Sequence, residues 1–298
     1  MQLGAYQIEL LETGRFGLDG GAMFGVVPKV LWERSYHPAD EKNRIPMAAR
    51  SLLIRTEDKV ILVDTGNDPK GNEKFRSIYK IDTSRYSLKK SLARFGLSPE
   101  DVTDVILTHL HFDHCGGATT LLENGEVVPT FPNATYYVQE EQLLWAREPT
   151  EKDRASFLKE NFEPLAEAGR LETLAGDGEI FRGIFVQTFY GHTKALQAVR
   201  IETPDGILFF PSDLCPTAAH VPYPYIMAYD NFPLTTLAEK KSVFPQAYEE
   251  HWLIVFQHDA FIQAGTLDAH PKGGFRVGET VTITAYEEPS NESVDTNS

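Results

Sequence analysis

Thr108-His109-Leu110-His111-Phe112-Asp113-His114 reads H-x-H-x-D-H and places four metal-ligand side chains within six residues. Three imidazoles and a carboxylate packed this densely are expensive to bury unpaired. A divalent transition metal removes that cost, because neutral imidazole nitrogen and carboxylate oxygen both suit zinc, manganese, cobalt or iron. The chemistry such a site offers is Lewis acidity and the activation of water.

Further polar residues follow apolar runs, one after another, along the chain. Asp64 closes Lys59–Val63, His192 follows Phe185–Tyr190, Asp213 follows Gly206–Phe210, and His258 follows Leu253–Phe256. Asp104–Thr108 delivers the histidine run in the same way, and Gly116-Gly117 permits a tight turn after it. Such positions just beyond strand ends are where open α/β sheets carry their sites. Patterning also predicts strands over 48–55, 195–202 and 280–284. Helices are predicted over 87–95 (stopped by Gly96), 140–147, 155–168 and 237–250, the last with Thr235 or Thr236 as cap. Strands and helices interleave without a linker, so a single α/β domain over 1–286 is expected, with an N-terminal arm of about 47 residues. A flexible acidic tail is expected over 287–298.

The chain has 298 residues, 42% hydrophobic and 24% charged, with a net charge of −15. That is a soluble globular composition, and its sign excludes nucleic acid and anionic membranes as natural partners. Two cysteines, Cys115 and Cys215, are too few for a disulfide scaffold. No window has the roughly 18 apolar residues of a membrane span. The start Met1-Gln2-Leu3-Gly4-Ala5 lacks the basic and apolar regions of a signal peptide, so the cytoplasm is the expected location.

The ordered motifs over about 50–260 resemble the metallo-β-lactamase superfamily of metal-dependent hydrolases. The resemblance implies a four-layer αββα sandwich. It implies that His109, His111 and His192 hold one metal, that Asp113, His114 and His258 hold a second, and that Asp213 bridges both. Two divalent ions are therefore expected, zinc first, with manganese, cobalt and iron as alternatives. Asp64 is implied as an acid behind the ligands that orients the histidine loop. Two ions about 3.5–4 Å apart can share a bridging hydroxide. Asp113 and Asp213 are the expected catalytic carboxylates, with Asp113 carrying a proton from nucleophile to leaving group.

Within the superfamily, Gly14–Trp32, Cys215–Pro222 and Tyr225–Asp230 resemble quorum-quenching N-acyl homoserine lactonases of the YtnP-like group. The expected reaction is opening of the lactone ring. An aryl ester or organophosphate hydrolase, similar to methyl parathion hydrolase, is the alternative on the same site; a non-catalytic metal-binding regulator is a third reading. Better-known lactonases place a Tyr three residues after the bridging Asp, where this chain has Pro216. Tyr223 and Tyr229 are the candidates to replace it. Met23, Phe24, Val26, Trp32, Phe112, Tyr225 and Met227 are expected along an acyl groove, with His220 and Asp259 as candidate partners behind the ligands. The same apolar N-terminal stretch makes a homodimer possible.

Overall fold

Tyr6–Asp19 and Arg44–Arg55 are the longest strands of the chain, and they pair antiparallel from Gln7 opposite Arg55 to Asp19 opposite Arg44. The structure is a computed structural model and describes residues 1–67, 70–71 and 73–286. The expected acidic tail lies outside the described residues. Tyr6–Asp19 comes from the stretch expected as an N-terminal arm and is built into the first sheet.

Successive residues of a strand point to opposite faces, and here both faces are apolar. Leu10, Leu52, Ile54, Ile61, Val63 and Ile106 point inward, against Val186, Val199, Ile201, Leu208, Phe210 and Val255 of a second sheet. Their neighbours Leu11, Leu53, Leu62 and Val105 point outward, under helices Leu88–Arg94, Glu140–Arg147 and Glu163–Glu167. On the far side, Val243, Phe244 and Ala247 of helix Pro233–Glu249 cover Leu196, Ala198, Phe209 and Ile254. The result is an αββα sandwich.

Each main sheet has seven strands. The first runs Gln2–Leu3, Tyr6–Asp19, Arg44–Arg55, Val60–Val63, Asp104–Ile106, Thr135–Gln139 and Leu171–Leu174. The second runs Gly178–Phe181, Ile184–Phe189, Leu196–Thr203, Gly206–Phe210, Leu253–Val255, Ala264–Ala269 and Phe275–Val281. Val60–Val63, Asp104–Ile106 and Thr135–Gln139 are parallel, as are Gly206–Phe210 and Leu253–Val255. Parallel neighbours end on the same edge, so the segments after them gather there. Among the described residues, no helix is long and apolar enough to cross a membrane.

Three expected elements differ. The helix expected over 155–168 is reduced to a single turn at Lys159–Asn161 and the short Glu163–Glu167. Tertiary contacts claim its first turn instead: the Phe112 N–H donates to Ser156 O at 2.9 Å, and Phe157 packs on His111 at 4.6 Å. The last long helix begins at Pro233, not Leu237, and neither Thr235 nor Thr236 caps it. Proline suits that first position, since its missing N–H has no helical partner to lose. The expected strand 280–284 is shifted to Phe275–Val281, because the Thr284 hydroxyl turns inward, donating to Glu9 Oε2 and accepting from the Leu10 N–H.

Candidate metal centre

Asp64, immediately after strand Val60–Val63, organises the histidine loop. It is fully buried with φ of 58°, a left-handed conformation that Asp tolerates better than most residues. Its Oδ1 accepts from the Thr108 N–H at 2.7 Å. Its Oδ2 accepts from the Thr108 hydroxyl at 2.8 Å, His114 Nδ1 at 2.9 Å and Gln257 Nε2 at 2.8 Å. One carboxylate thus clamps two of the loops that carry histidines.

His109, His111, His192 and Asp213 form one group of facing ligand atoms, and Asp113, His114 and His258 form the adjoining one. All are buried. His111 Nδ1 lies 3.0 Å from His109 Nε2 and 3.1 Å from His192 Nε2, and His114 Nε2 lies 3.0 Å from His258 Nε2. Asp213 stands between the groups. Its Oδ2 is 3.2 Å from His192 Nε2 and 3.4 Å from His114 Nε2, and its Oδ1 is 3.2 Å from His258 Nε2.

Four of these imidazoles have the opposite ring nitrogen engaged. His114 Nδ1 meets Asp64 at 2.9 Å, and His192 Nδ1 meets Asp230 Oδ1 at 2.8 Å. His258 Nδ1 faces Ala48 O at 2.9 Å, and His109 Nδ1 faces the Thr108 hydroxyl at 3.1 Å. Partners of this kind direct Nε2 of each ring, as an unprotonated ligand, into the cluster. Three inward lone pairs at about 3 Å cannot satisfy one another by hydrogen bonds. Tetrahedral coordination at about 2.0–2.1 Å separates ligand nitrogens by roughly 3.3 Å, close to these spacings, so the residues fit a divalent ion.

The electrostatics agree. Burial, then repulsion from His114, His111 and His192, holds His109 well below the ordinary imidazole range. Burial and His192 do the same to His111. Burial opposes charge on His114 and His192 too, but Asp213 and the other carboxylates beside them outweigh it and raise both. Asp213 is held well below the usual carboxylate range, against its own burial, by His114, His258 and His192. Protons satisfy such a cluster only in part, whereas a cation compensates the carboxylates and uses every lone pair.

Gly191 sets the position of His192. A Cβ there would lie 2.4 Å from the Thr236 backbone N and 2.6 Å from its Cα. The Gly191 carbonyl also accepts from Phe232 N–H at 2.8 Å, and the His192 carbonyl from Asn231 N–H at 3.0 Å. Gly191→Ala must push the His192 loop off helix Pro233–Glu249. We expect a loss of about 1–3 kcal/mol in stability and weaker metal retention on dialysis. Thermal melts and elemental analysis check both.

A pocket opens over the cluster, with His111, Asp113, His192, Asp213 and His258 as its floor. Of the residues expected along a groove, Met23, Phe112, Met227 and Tyr229 reach its wall. Phe24 and Trp32 do not; they stack on each other at 5.4 Å in the core behind it. His220 also lies in that core. It stacks on Phe24 at 4.7 Å, donates to Met23 O and is pushed down to about 4 by burial. Tyr223 lies elsewhere, beside Phe244 and Phe275, and Tyr225 reaches Ser35 at the surface. Val26 is 93% exposed. Asp259 caps its own turn through the Phe261 and Ile262 N–H groups. Cys115 donates to Leu110 O and is outside both ligand groups.

Sequence reasoning missed Leu18, Tyr79, Lys152, Asp153 and Ser156 on the pocket wall, and Asp230 behind His192. Asp230 is 38 residues from His192, with no spacing signal to link them. Lys152 donates to Tyr229 O, Asp230 O and Asn231 Oδ1, which fastens the 150–156 segment to the loop that orients His192.

Comparison with known proteins supplies the rest. The family model of the metallo-beta-lactamase superfamily matches residues 44–258. An N-acyl homoserine lactonase from a Bacillus species is 32% identical over 160 residues, 51% of this chain and 57% of that protein. The chain thus spans 57–61% of the length of the curated relatives it matches first. A Staphylococcus aureus structure described as "a probable metal-dependent hydrolase" superposes with a TM-score of 0.83 and 28% identity, covering 95% of this chain and 100% of that one. AidC, a dizinc quorum-quenching lactonase solved with a product, superposes with a TM-score of 0.75 at 20% identity, covering 95% of this chain and 97% of that one; this likeness is one of fold.

Proposed function

The chain belongs to the metallo-beta-lactamase superfamily, and from that footing we propose that it is a dinuclear metal-dependent hydrolase that opens the lactone ring of N-acyl homoserine lactones. The observation that carries this reading is the convergence of seven buried ligand side chains into two adjoining groups around Asp213. His109, His111 and His192 would hold one ion, Asp113, His114 and His258 the other, and Asp213 would serve both. Divalent ions, zinc foremost, polarise a carbonyl and supply a nucleophilic water at neutral pH when bound there. Lactonases among the relatives support the substrate class.

The chain's own groups do the remaining work. Asp64, Asp230 and the Ala48 carbonyl orient the imidazoles before substrate arrives. Asp113 faces the pocket at its floor, 3.7 Å from His258 Nε2, placed to carry a proton from the attacking water to the leaving alkoxide. Leu18, Met23, Phe112 and Met227 offer an apolar wall for an acyl chain, and Tyr79 and Tyr229 give that wall a polar edge. Pro216 carries no hydroxyl, and of the two tyrosines named as its replacement Tyr229 is the one that lines the pocket. A homodimer covering exposed Val26, Val30 and Leu31 is part of the same reading.

Metal-loaded protein incubated with long- and short-chain N-acyl homoserine lactones should release one acid per ring opened, followed by titration. Acid from no lactone, with robust turnover of a phosphotriester, replaces this reading with an aryl ester or organophosphate hydrolase. No turnover of any ester in a broad panel leaves a metal-binding regulator.

A further inference from the structure

Arg50 is a buried cation, 2% exposed, that belongs to neither ligand group. It lies in strand Arg44–Arg55, two residues after Ala48, whose carbonyl faces His258 Nδ1. Its Nε donates to Glu12 Oε1 at 2.7 Å, and Glu12 is equally buried. Burying such a pair removes hydration from both charges, and their attraction does little more than offset that cost, so the pair is weak evidence for stabilisation by itself. The other end of the guanidinium gives it a further role.

Arg50 Nη1 donates to Phe256 O at 3.1 Å and to Asp259 O. Those two carbonyls bracket Gln257 and His258. The Arg50 carbonyl in turn accepts from Gln257 Nε2 at 3.1 Å. Residues 256–259 are all buried just beyond strand Leu253–Val255, so carbonyls that have left the sheet there need a side-chain donor. A rigid, planar guanidinium serves an acid and two carbonyls in one fixed geometry, which a flexible ammonium does not. Arg15 repeats the pattern: its Nη2 lies 3.2 Å from Glu12 Oε2, and its Nη1 donates to Ala260 O at 3.5 Å. Among the described residues, the hydrogen bonds of the Arg50 side chain go to Glu12 and this loop alone.

We propose that Arg50 is a positioning residue for the second ligand group and acts through His258: by holding the carbonyls on either side of it, Arg50 sets how tightly Asp113, His114 and His258 retain their ion. This rests on the two-ion reading above. Ala48 fixes the imidazole of His258, and its N–H also donates to His258 O at 3.0 Å. Arg50 fixes the backbone that carries the ring, and with it the approach of Nε2 to His114 Nε2 at 3.0 Å and to Asp213 Oδ1 at 3.2 Å. His109, His111 and His192 stand on other loops, so the effect falls on one ion of the two.

Zinc titration of the full-length, metal-stripped chain against a chromogenic chelator reads both dissociation constants. Arg50→Met should weaken the second ion about 10–100-fold and leave the first within about threefold. Arg50→Lys keeps a cation beside Glu12, should fall between, and carries the same comparison where Arg50→Met does not fold. His258→Ala supplies the readout that a merely structural role does not move. With that ligand gone, Arg50→Met should weaken the second ion no further. In metal-stripped Arg50→Met, hydrogen exchange should quicken at the Phe256 and His258 amides, which donate to Gln263 O and Pro216 O at 2.8 and 2.9 Å, and not over 109–115. An unchanged second constant in both Arg50 variants, equal weakening of both ions, or a loss that adds to that of His258→Ala would each overturn the inference and leave the two-ion reading standing. A parent chain that takes up fewer than two ions overturns both. Lactone turnover enters none of these readouts.

Discussion

Asp213→Ala is expected to reduce bound metal from two ions toward one per chain and to lower turnover by about a hundredfold or more. Among the described residues, Asp213 is the one carboxylate that faces both groups, at 3.2 Å from His192 and 3.2 Å from His258. In the proposed two-metal centre its charge would also offset the repulsion between closely packed cations. Without it, Asp113 is the remaining carboxylate among the clustered ligands, beside five imidazoles. Each group keeps three ligands, enough to hold an ion weakly but not to share a bridge. Asp213→Asn separates charge from volume. It fills the same space, but a neutral amide offers one weak ligand oxygen, so occupancy should again fall. Elemental analysis after controlled dialysis reads stoichiometry directly. Two tightly held ions with unchanged turnover in Asp213→Ala would contradict the bridging role.

Asp64→Ala is expected to lower stability by roughly 3–5 kcal/mol, about 10 °C in melting temperature, and to weaken metal binding about 10–100-fold. Four donors from two loops converge on this carboxylate. Truncation leaves the Thr108 N–H, His114 Nδ1–H and one of the two Gln257 Nε2–H groups buried without an acceptor, while the Thr108 hydroxyl keeps Ser212 Oγ at 2.9 Å. It also frees His114 to rotate or change tautomer. Ala is further disfavoured at a φ of 58°. Asp64→Asn keeps the volume and tolerates that backbone, but its amide N–H₂ faces donors, so it should fall between Ala and the parent. Melts with and without chelator separate the two effects. A deficit that persists in chelator reports the lost hydrogen bonds, and an additional gap that appears only with metal reports the misoriented imidazole. A deficit below about 1 kcal/mol in chelator would show that Asp64 orients without holding the loops together.

The histidine run was legible because its chemistry is local. Three imidazoles and a carboxylate within six residues are costly to bury unless a cation joins them. Single polar residues after strands carried less information each, and their order along the chain gave them weight. Parallel pairing of Asp104–Ile106 with its neighbours then brings strand ends to one edge, which is why sequence position and site position correspond there. The helix expected over 155–168 shows the limit of periodicity: the Ser156 carbonyl is taken by Phe112, and the local pattern yields to that contact.

Residue type and order determined a single α/β domain, the candidate ligands and the sign of the surface charge, because burial patterns and metal chemistry are properties of short stretches; the sandwich was what the family resemblance implied. Only the tertiary structure decided which aromatic side chains see the pocket. Phe24 and Met23 are adjacent and both apolar, yet one stacks in the core while the other reaches the pocket wall. Tyr223 and Tyr229 differ in the same way, one against Phe244 and one on the pocket wall. The partnership of Asp230 with His192 and that of Arg50 with the carbonyls around His258 are equally invisible along the chain. Each depends on side chains brought together by packing between distant segments, and composition does not encode which face of a segment is turned toward them.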